Sequence, residues 1–172
     1  EFNGGSVTLS QFPLSDNFTV SAWIKPSGLT SWERVFDFGS DQKNYIFLTV
    51  NNGNGYPRLA VKYNNQTEQN ITSSVSFNKN VWSYVTVTMK DNKATMYING
   101  ESVASGNITV SMRSLASSAA NYIAKSQYTS DPNYTSCIDE MEIYNDALTQ
   151  DEIITRMQAT AAEVKSIETT DL

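Results

Sequence analysis

The sequence contains no histidine and a single cysteine, and these two absences exclude several kinds of site. Without imidazole there is no Ser-His-Asp or Cys-His catalytic group, no histidine zinc ligand and no ordinary neutral-pH base, so any enzyme here would have to work with carboxylates. The lone Cys137 cannot form an internal disulfide, which excludes a small disulfide-built scaffold. Its apolar neighbours favour a buried side chain over a reactive thiol.

Positive charge is also scarce. Twelve Lys and Arg stand against 18 Asp and Glu, which gives a net charge of −6 and a pI near 4.6. Nucleic acids and anionic membrane surfaces are bound by clustered Lys and Arg, so this balance argues against both partners. The sequence shows neither a long apolar run nor a signal peptide and opens directly on a strand-like segment. The chain is therefore either cytoplasmic or a piece of a longer exported protein, and the strand-like opening favours the second alternative, with an extracellular location.

Short polar side chains are abundant: Ser, Thr and Asn supply 55 of the 172 residues, a length that fits one domain. These residues suit the turns and edges of β-structure. From Ser6 to Tyr144, apolar and polar residues alternate, with turn-forming clusters about every eight to twelve residues. This pattern predicts an all-β protein, an antiparallel two-sheet sandwich of the jelly-roll type. The predicted strands cover residues 7–9, 18–25, 34–38, 44–50, 58–63, 81–90, 93–98, 121–125 and 137–144.

A short C-terminal helix is predicted after the last strand. Thr149 and Glu152 have the spacing of a capping box, and apolar residues follow at helical spacing. We expect the helix to end near Ala162, because the remaining sequence is polar. The predicted organisation is one sandwich module over residues 1–160, followed by a tail or linker over residues 161–172.

Three ordered motifs carry a resemblance to a known family. They are the segment Phe18–Pro26, the hairpin that combines Trp82-x-x-Val85-x-Val87-Thr88 with Met96–Gly100, and the segment Ile138–Leu148. Together they resemble the laminin-G-like, concanavalin A-like jelly roll, over essentially Phe2 to Ile154. The resemblance implies the fold more specifically than it implies an activity.

Three further segments resemble the modules appended to bacterial glycoside hydrolases, notably the arabinan- and xylan-degrading enzymes of family 43. These are Trp32–Gly39, Asn44–Thr49 and Ile123–Pro132. The resemblance implies a secreted, non-catalytic, lectin-like module, linked to a catalytic glycoside hydrolase domain and partnered by a plant cell-wall polysaccharide or oligosaccharide. The alternative is a structural or protein-interaction domain that packs against a catalytic domain and binds no sugar.

The last predicted strand carries an acidic side chain where an apolar one is expected. Strict alternation places Asp139 on the same face as Cys137 and Met141, the face that looks toward the core. A carboxylate in apolar surroundings is costly unless it is paired or coordinated. No Lys or Arg lies two residues away on that face, so the sequence favours a Ca²⁺ ion held by oxygen ligands.

The resemblance supports calcium, because relatives commonly hold a structural calcium between this aspartate and a glycine-rich segment before the first strand. The matching residues here are Asn3, which can offer an amide oxygen, and Gly5, which can offer a backbone carbonyl. The predicted metal site is therefore Asn3, Gly5 and Asp139. The alternative is that Asp139 accepts hydrogen bonds from backbone amides of a neighbouring loop.

Catalysis by the same strand is not expected. Glucanases of this broad fold carry Glu-x-Asp-x-(x)-Glu on one strand, but Cys137 occupies the first position here. Alternation also places Glu140 and Glu142 on the opposite face from Asp139, so no acid and nucleophile face each other across a sugar. We therefore predict no enzyme and no catalytic residues.

Sugar binding needs an aromatic platform flanked by a few polar side chains. Aromatic residues within predicted strands are assigned to the core, so the candidates come from loops. The alternative is a packed loop whose tyrosines cover the sandwich edge and whose Asp131 pairs with Arg34 or another cation. Arg34 and Asp37 lie three residues apart in one strand, hence on opposite faces, and are not expected to pair. The predicted ligand-binding residues are Trp32, Tyr56, Gln127, Tyr128, Asp131 and Tyr134.

Overall fold

In the computed structural model, the chain forms two antiparallel β-sheets packed face to face and one long C-terminal helix. The structure describes residues 1–115 and 120–170, with side chains except at 162, 163 and 165–170. The described strands are β1 (Val7–Leu9), β2 (Phe18–Lys25), β3 (Arg34–Asp41), β4 (Asn44–Thr49), β5 (Arg58–Lys62), β6 (Gln69–Thr72), β7 (Ser83–Lys90), β8 (Lys93–Ile98), β9 (Glu101–Asn107), β10 (Ala120–Ile123) and β11 (Cys137–Tyr144), and the helix is α1 (Gln150–Thr170).

The first sheet has the strand order β1-β10-β3-β4-β5-β6, and the second has the order β11-β2-β7-β8-β9. All pairs are antiparallel, so the predicted all-β jelly-roll sandwich is confirmed. Two edge strands, β6 and β9, were not predicted. Both are rich in polar or small residues and bury few side chains, so they lack the alternation that marked the other strands.

The core forms between the sheets from apolar residues that alternate along the strands. In β2, Val20 and Ile24 face the core, while Trp23 lies on the outer face of the second sheet. In β4, Ile46 and Leu48 likewise face the core and are at most 1% exposed. A strand that buries one face in this way leaves its other residues on an outer surface.

Register shifts interrupt several of the described strand pairs, and two of them change the placement of predicted site residues. In β3, the register shifts between Arg34 and Phe36, and both Val35 and Phe36 pack into the core. Because the bulge adds one inward residue, Arg34 and Asp37 lie on the same outer face of the first sheet. A second register shift lies between Asp139 and Glu142 of β11.

Helix α1 begins at the predicted capping box and continues past its predicted end. The Thr149 amide donates to the Glu152 carboxylate at 2.8 Å, and the Glu152 amide donates to Thr149 Oγ1 at 3.4 Å. The predicted end near Ala162 is wrong, because the helix runs to Thr170. Val164 is only 2% exposed, so apolar packing stabilises the turns beyond Ala162.

The helix packs on the outer face of the second sheet. Trp23 Nε1 donates to Thr160 Oγ1 at 2.8 Å, which ties the middle of α1 to β2. A side chain at Gly100 would place its Cβ 2.8 Å from Ile154 Cγ1, so a glycine in the β8–β9 turn lets the helix approach. Within the described part of the chain, no helix combines the length and apolar character required to cross a membrane.

Candidate functional site

An aromatic pair lies on the outer face of the first sheet. Tyr45 and Phe47 alternate along β4 with the core residues Ile46 and Leu48, and their ring centroids are 5.3 Å apart. Both rings are buried, at 2% exposed each, so the assignment of Phe47 to buried structure is confirmed, although its cluster lies on the outer face of the sheet and not between the sheets. Ile46 and Leu48 form the face of β4 that looks toward the main core, which places both rings on the other face.

Two loops add aromatic walls around this pair. Trp32 and Tyr128 both pack against it, and the rings of Tyr128 and Tyr45 meet edge to face at 5.9 Å. Trp32 has a φ of +69°, and its amide donates to the Asn51 carbonyl at 2.8 Å. These groups enclose what we call the aromatic cavity, of about 230 Å³, lined by Trp32, Arg34, Tyr45, Phe47, Glu68, Tyr128 and Asp131.

Arg34 connects the sheet to both loops. Its guanidinium carbon lies 3.7 Å from the centroid of the Phe47 ring, and the side chain is only 2% exposed. Nη1 donates to the Trp32 carbonyl at 2.8 Å, and Nη2 donates to Asp131 Oδ2 at 2.7 Å. A planar guanidinium can make these separated bonds at once while it stacks on a ring. One buried side chain therefore positions the Trp32 wall and the Tyr128 wall together.

The Tyr128 loop is also fixed by its own hydrogen bonds. Ser126 Oγ donates to Asp131 Oδ2 at 2.9 Å and accepts the Tyr128 amide at 3.0 Å. The alternative interpretation, in which Asp131 pairs with Arg34 in a packed loop, is confirmed in its contacts. The same loop nevertheless lines the aromatic cavity with Tyr128 and Asp131, so packing and access to a ligand coexist.

Asp37 lies fully buried beside this network. Its Oδ2 accepts the Gln127 amide at 3.0 Å and lies 3.5 Å from Arg34 Nε. The expectation that Arg34 and Asp37 could not pair is therefore wrong, and the bulge in β3 is the reason. Burial raises the pKa of Asp37 to about 7, against the opposing effects of the Gln127 amide and the Arg34 charge.

Glu68 closes the opposite side of the aromatic cavity. It accepts the Tyr45 hydroxyl at 2.5 Å and forms an ion pair with Arg58. Burial, followed by the hydrogen bond to Glu68, raises the pKa of Tyr45, so its hydroxyl stays protonated. Glu68 precedes the unpredicted strand β6, and no pattern in the sequence marks it as a site residue.

The predicted ligand-binding residues separate into three groups. Trp32, Tyr128 and Asp131 line the aromatic cavity. Gln127 lies behind it and anchors the loop, since its side chain donates to the Ala120 carbonyl at 2.5 Å. Tyr56 is 40% exposed on the neighbouring turn but does not line the cavity.

Tyr134 lies away from the aromatic cavity. Its ring is fully buried in the main core, and its amide donates to the Ala124 carbonyl at 2.9 Å. The prediction that Tyr134 contacts a ligand is therefore a misassignment. The loop turns back after Asp131 and inserts this ring between the sheets, so the polar sequence around it gave the wrong expectation.

The argument for an inward-facing carboxylate at Asp139 is also wrong. Asp139 pairs with the outward-facing Trp23, whereas Ile138 and Met141 pack against the core on either side of it. Glu140 has a φ of +48°, as the bulge requires, and its amide donates to Asp139 Oδ1 at 2.9 Å. The carboxylate thus does accept a backbone amide, from its own bulge rather than from a neighbouring loop.

Asn3 and Gly5 lie in a segment attached to the loop before β11. The Phe2 amide donates to the Ser136 carbonyl at 2.9 Å, and Asn133 donates to the Gly4 carbonyl at 2.7 Å. None of the described contacts joins Asp139 to Asn3 or Gly5. Among residues 1–115 and 120–170, no three Asp, Glu, Cys or His side chains are grouped to hold a metal. Calcium at Asn3, Gly5 and Asp139 therefore stays a prediction.

The bulge in β11 changes the placement of the acidic residues. Asp139 and Glu142 pair with Trp23 and Ser21, so both lie on the outer face of the second sheet and not on opposite faces. Glu142 forms an ion pair with Arg156 of α1. Its carboxylate is thus engaged in fixing the helix, which leaves Asp139 without a neighbour poised as a catalytic partner in the described contacts.

Comparison with known proteins identifies the family. No curated protein sequence matches the chain. One similar structure is domain 4 of AbnA, an extracellular family 43 arabinanase from Geobacillus stearothermophilus, solved in complex with arabinotriose. It superimposes with a TM-score of 0.79 at 22% sequence identity, and the match covers 90% of this chain and 73% of that one. The CBM40 domain of the Ruminococcus gnavus IT-sialidase, bound to α2,3-sialyllactose, gives a TM-score of 0.73 at 17% identity, over 90% and 94%.

A third similar structure is that of botulinum neurotoxin type C, whose cell entry depends on interaction with two ganglioside molecules. It gives a TM-score of 0.66 at 19% sequence identity, and the match covers 90% of this chain and 40% of that one. At these identities the structural likeness establishes the fold alone. The sequence match is more specific, since residues 2–154 fit the family described as the concanavalin A-like lectin/glucanases superfamily. The chain therefore belongs to the concanavalin A-like lectin/glucanases superfamily.

Proposed function

We propose that the chain is a non-catalytic, lectin-like module that binds an oligosaccharide in the aromatic cavity. The observation that carries the proposal is the cavity itself, where Trp32, Tyr128 and the β4 pair surround an open space of about 230 Å³. Aromatic rings bind the apolar faces of sugars, and a few polar groups then fix the hydroxyls. Glu68 and Asp131 are placed at the cavity wall for that second task.

The site lies on the sheet opposite to the one that α1 covers. Helix α1 and its ion pair with Glu142 occupy the outer face of the second sheet. The aromatic cavity opens on the outer face of the first sheet, between β4 and the two loops. This separation leaves the helix side available for a neighbouring domain while a glycan occupies the cavity.

A finer form of the proposal names arabinan or a xylan-type plant cell-wall polysaccharide as the ligand. It also places the module outside the cell and in one polypeptide with a catalytic glycoside hydrolase domain. Its support is the motif resemblance to family 43 accessory modules and the shared fold with an arabinanase domain solved with arabinotriose.

Affinity gel electrophoresis with arabinan, arabinoxylan and xylan tests the proposal. We expect retardation of the wild type by at least one of them. Trp32→Ala and Tyr128→Ala should each weaken binding about fivefold, from the loss of about 1 kcal/mol of ring contact. Tyr56→Ala is the matched control, because this ring is 40% exposed nearby yet does not line the cavity. Equal losses in all three variants, or no retardation by any polysaccharide, would contradict the proposal.

The alternative, a packing domain that binds no sugar, has one specific observation in its favour. A groove of about 500 Å³ lies where α1 meets the turns of the second sheet, and its lining includes Trp23, Trp82 and Met157. Val81 at its rim is 49% exposed, an apolar surface suited to another domain. If no polysaccharide retards the wild type, and Trp82→Ala loosens its association with a linked domain in analytical ultracentrifugation, this alternative is favoured.

A further inference from the structure

Arg34 lines the aromatic cavity and Arg58 contacts its wall residue Glu68, and both arginines are already paired within the protein. Arg34 donates to Asp131 and to the Trp32 carbonyl, and its guanidinium carbon lies 3.7 Å from the centroid of the Phe47 ring. Arg58 forms an ion pair with Glu68, and both side chains are only about one quarter exposed. Among the described residues that line the cavity, Arg34 is the one cation, so an anionic ligand there would have to break its pair with Asp131. Lys62 pairs with Tyr45 across the strands but does not line the cavity.

The carboxylates, in contrast, keep capacity for further hydrogen bonds. An ionised carboxylate offers about four lone-pair sites, all of them acceptors. The described side-chain bonds of Asp131 both end on Oδ2, from Arg34 and Ser126. Glu68 receives one bond from Tyr45 and one from Arg58. Sugar hydroxyls can donate to the remaining sites, whereas a ligand carboxylate, sulfate or phosphate cannot.

We infer that the aromatic cavity selects sugars without charged groups, binds their hydroxyls through Glu68 and Asp131, and rejects carboxylated, sulfated or phosphorylated sugars. This inference rests on the proposed function. The charges of Asp131 and Glu68 are balanced by Arg34 and Arg58, so a ligand anion would lose its hydration in a partly desolvated site without gaining an unpaired cation there. The net charge of −6 adds a field that repels a ligand anion.

The size of the cavity limits how much of a glycan can contact the protein. At about 230 Å³ it is smaller than the cavities that enclose drug-sized ligands, which begin at roughly 300 Å³. A short part of a chain, such as one ring and its linkages, therefore makes the contacts with Glu68 and Asp131. Charged groups on parts of a long polymer that lie outside the cavity would affect its affinity only weakly, so short oligosaccharides are the appropriate probes.

Isothermal titration calorimetry on the whole chain provides the test. The uncharged probes are arabinotriose and xylotriose, and the acidic probes are α2,3-sialyllactose and a galacturonic acid trimer. We expect the better uncharged probe to bind at least about tenfold more tightly than either acidic probe. Its dissociation constant should change less than about twofold when the salt concentration is raised, because no ligand ion pair is formed.

Glu68→Gln examines the cause of the selectivity. This variant keeps the shape of the side chain, removes one negative charge from the wall and releases Arg58. The preference for uncharged over acidic probes should fall about tenfold. Glu101→Gln is the matched control, because it makes the same charge change at an exposed position on β9 of the other sheet. Its preference should equal that of the wild type.

The outcomes separate the inference from the proposed function. Acidic probes bound as tightly as uncharged ones would overturn the inference and leave the proposed function standing. An unchanged preference in folded Glu68→Gln would also overturn it. If that variant does not fold, the wild-type comparison still decides between the two probe classes. Absence of binding by all four probes and by the polysaccharides would overturn both.

Discussion

Asp37 is fully buried beside the aromatic cavity, and its burial should make the stability of the fold depend on pH. Burial raises the pKa of Asp37 to about 7, and the Gln127 amide and the Arg34 charge offset only part of this effect. In the unfolded chain the same carboxyl group titrates near pH 3.9. The folded state therefore holds the proton more tightly, so this group's contribution to stability is full below about pH 4 and is lost as the pH rises through about 7.

The magnitude follows from the two pKa values. The difference of about 3 pKa units, at about 1.36 kcal/mol each, corresponds to about 4 kcal/mol of unfolding free energy. About 3 kcal/mol of this change should fall between about pH 4.5 and about pH 7.5. A loss of that size is a large fraction of the stability of an ordinary single domain.

Urea unfolding of the wild type and Asp37→Asn over this pH range measures the effect. Asparagine retains an oxygen that can accept the Gln127 amide but does not titrate. Subtracting the two profiles removes groups common to both proteins, such as Glu33, whose pKa burial also raises. The free energy of unfolding of the wild type should fall relative to the variant as the pH rises. Parallel profiles, or a relative gain by the wild type, would refute the reasoning.

Three other predictions concern single contacts. Above about pH 7, where Asp37 is ionised, Arg34→Met should lower the free energy of unfolding in urea by about 3–5 kcal/mol, because it leaves this carboxylate buried without a cation. A loss below about 1 kcal/mol at that pH would contradict this. Trp23→Phe should cost about 1 kcal/mol by removing the hydrogen bond to Thr160, and it should cost less in a Thr160→Val background; equal costs in the two backgrounds would argue against the bond. If calcium binds at Asp139, the melting temperature should be higher in calcium than in chelator, and Asp139→Asn should remove the difference; coinciding melting curves would reject calcium.

The sequence allowed the fold to be predicted because most strands bury one face and leave the other polar. The pattern failed at two bulges, where one extra residue changes which side chains face outward. In β3 this change brings Arg34 and Asp37 together, and in β11 it turns Asp139 away from the core. A bulge depends on the pairing of two strands, so neither strand's own sequence reveals it.

The candidate site could be predicted only in part. Trp32 and Tyr128 were predicted as ligand-binding residues because they are large aromatic rings in polar loops, where a ring can serve as a platform for a sugar. Tyr134 has the same sequence context but is fully buried, so the path of the loop decides which ring faces outward. Glu68 reaches the site through the position of β6, an edge strand whose short polar sequence carries little signal.

The buried charges and the aromatic rings of the cavity form a single arrangement. Buried ion pairs are weak sources of stability, since apolar replacements of similar volume are often as stable. A purely apolar residue at Arg34, however, could not bond both the Trp32 carbonyl and Asp131, and the two aromatic walls would lose their common anchor. The network therefore fixes the geometry of the aromatic cavity, a role that an apolar core of equal stability could not fill. A variant that kept stability but lost this anchor should fold normally and bind sugar poorly, because the rings would no longer be held in place before the ligand arrives.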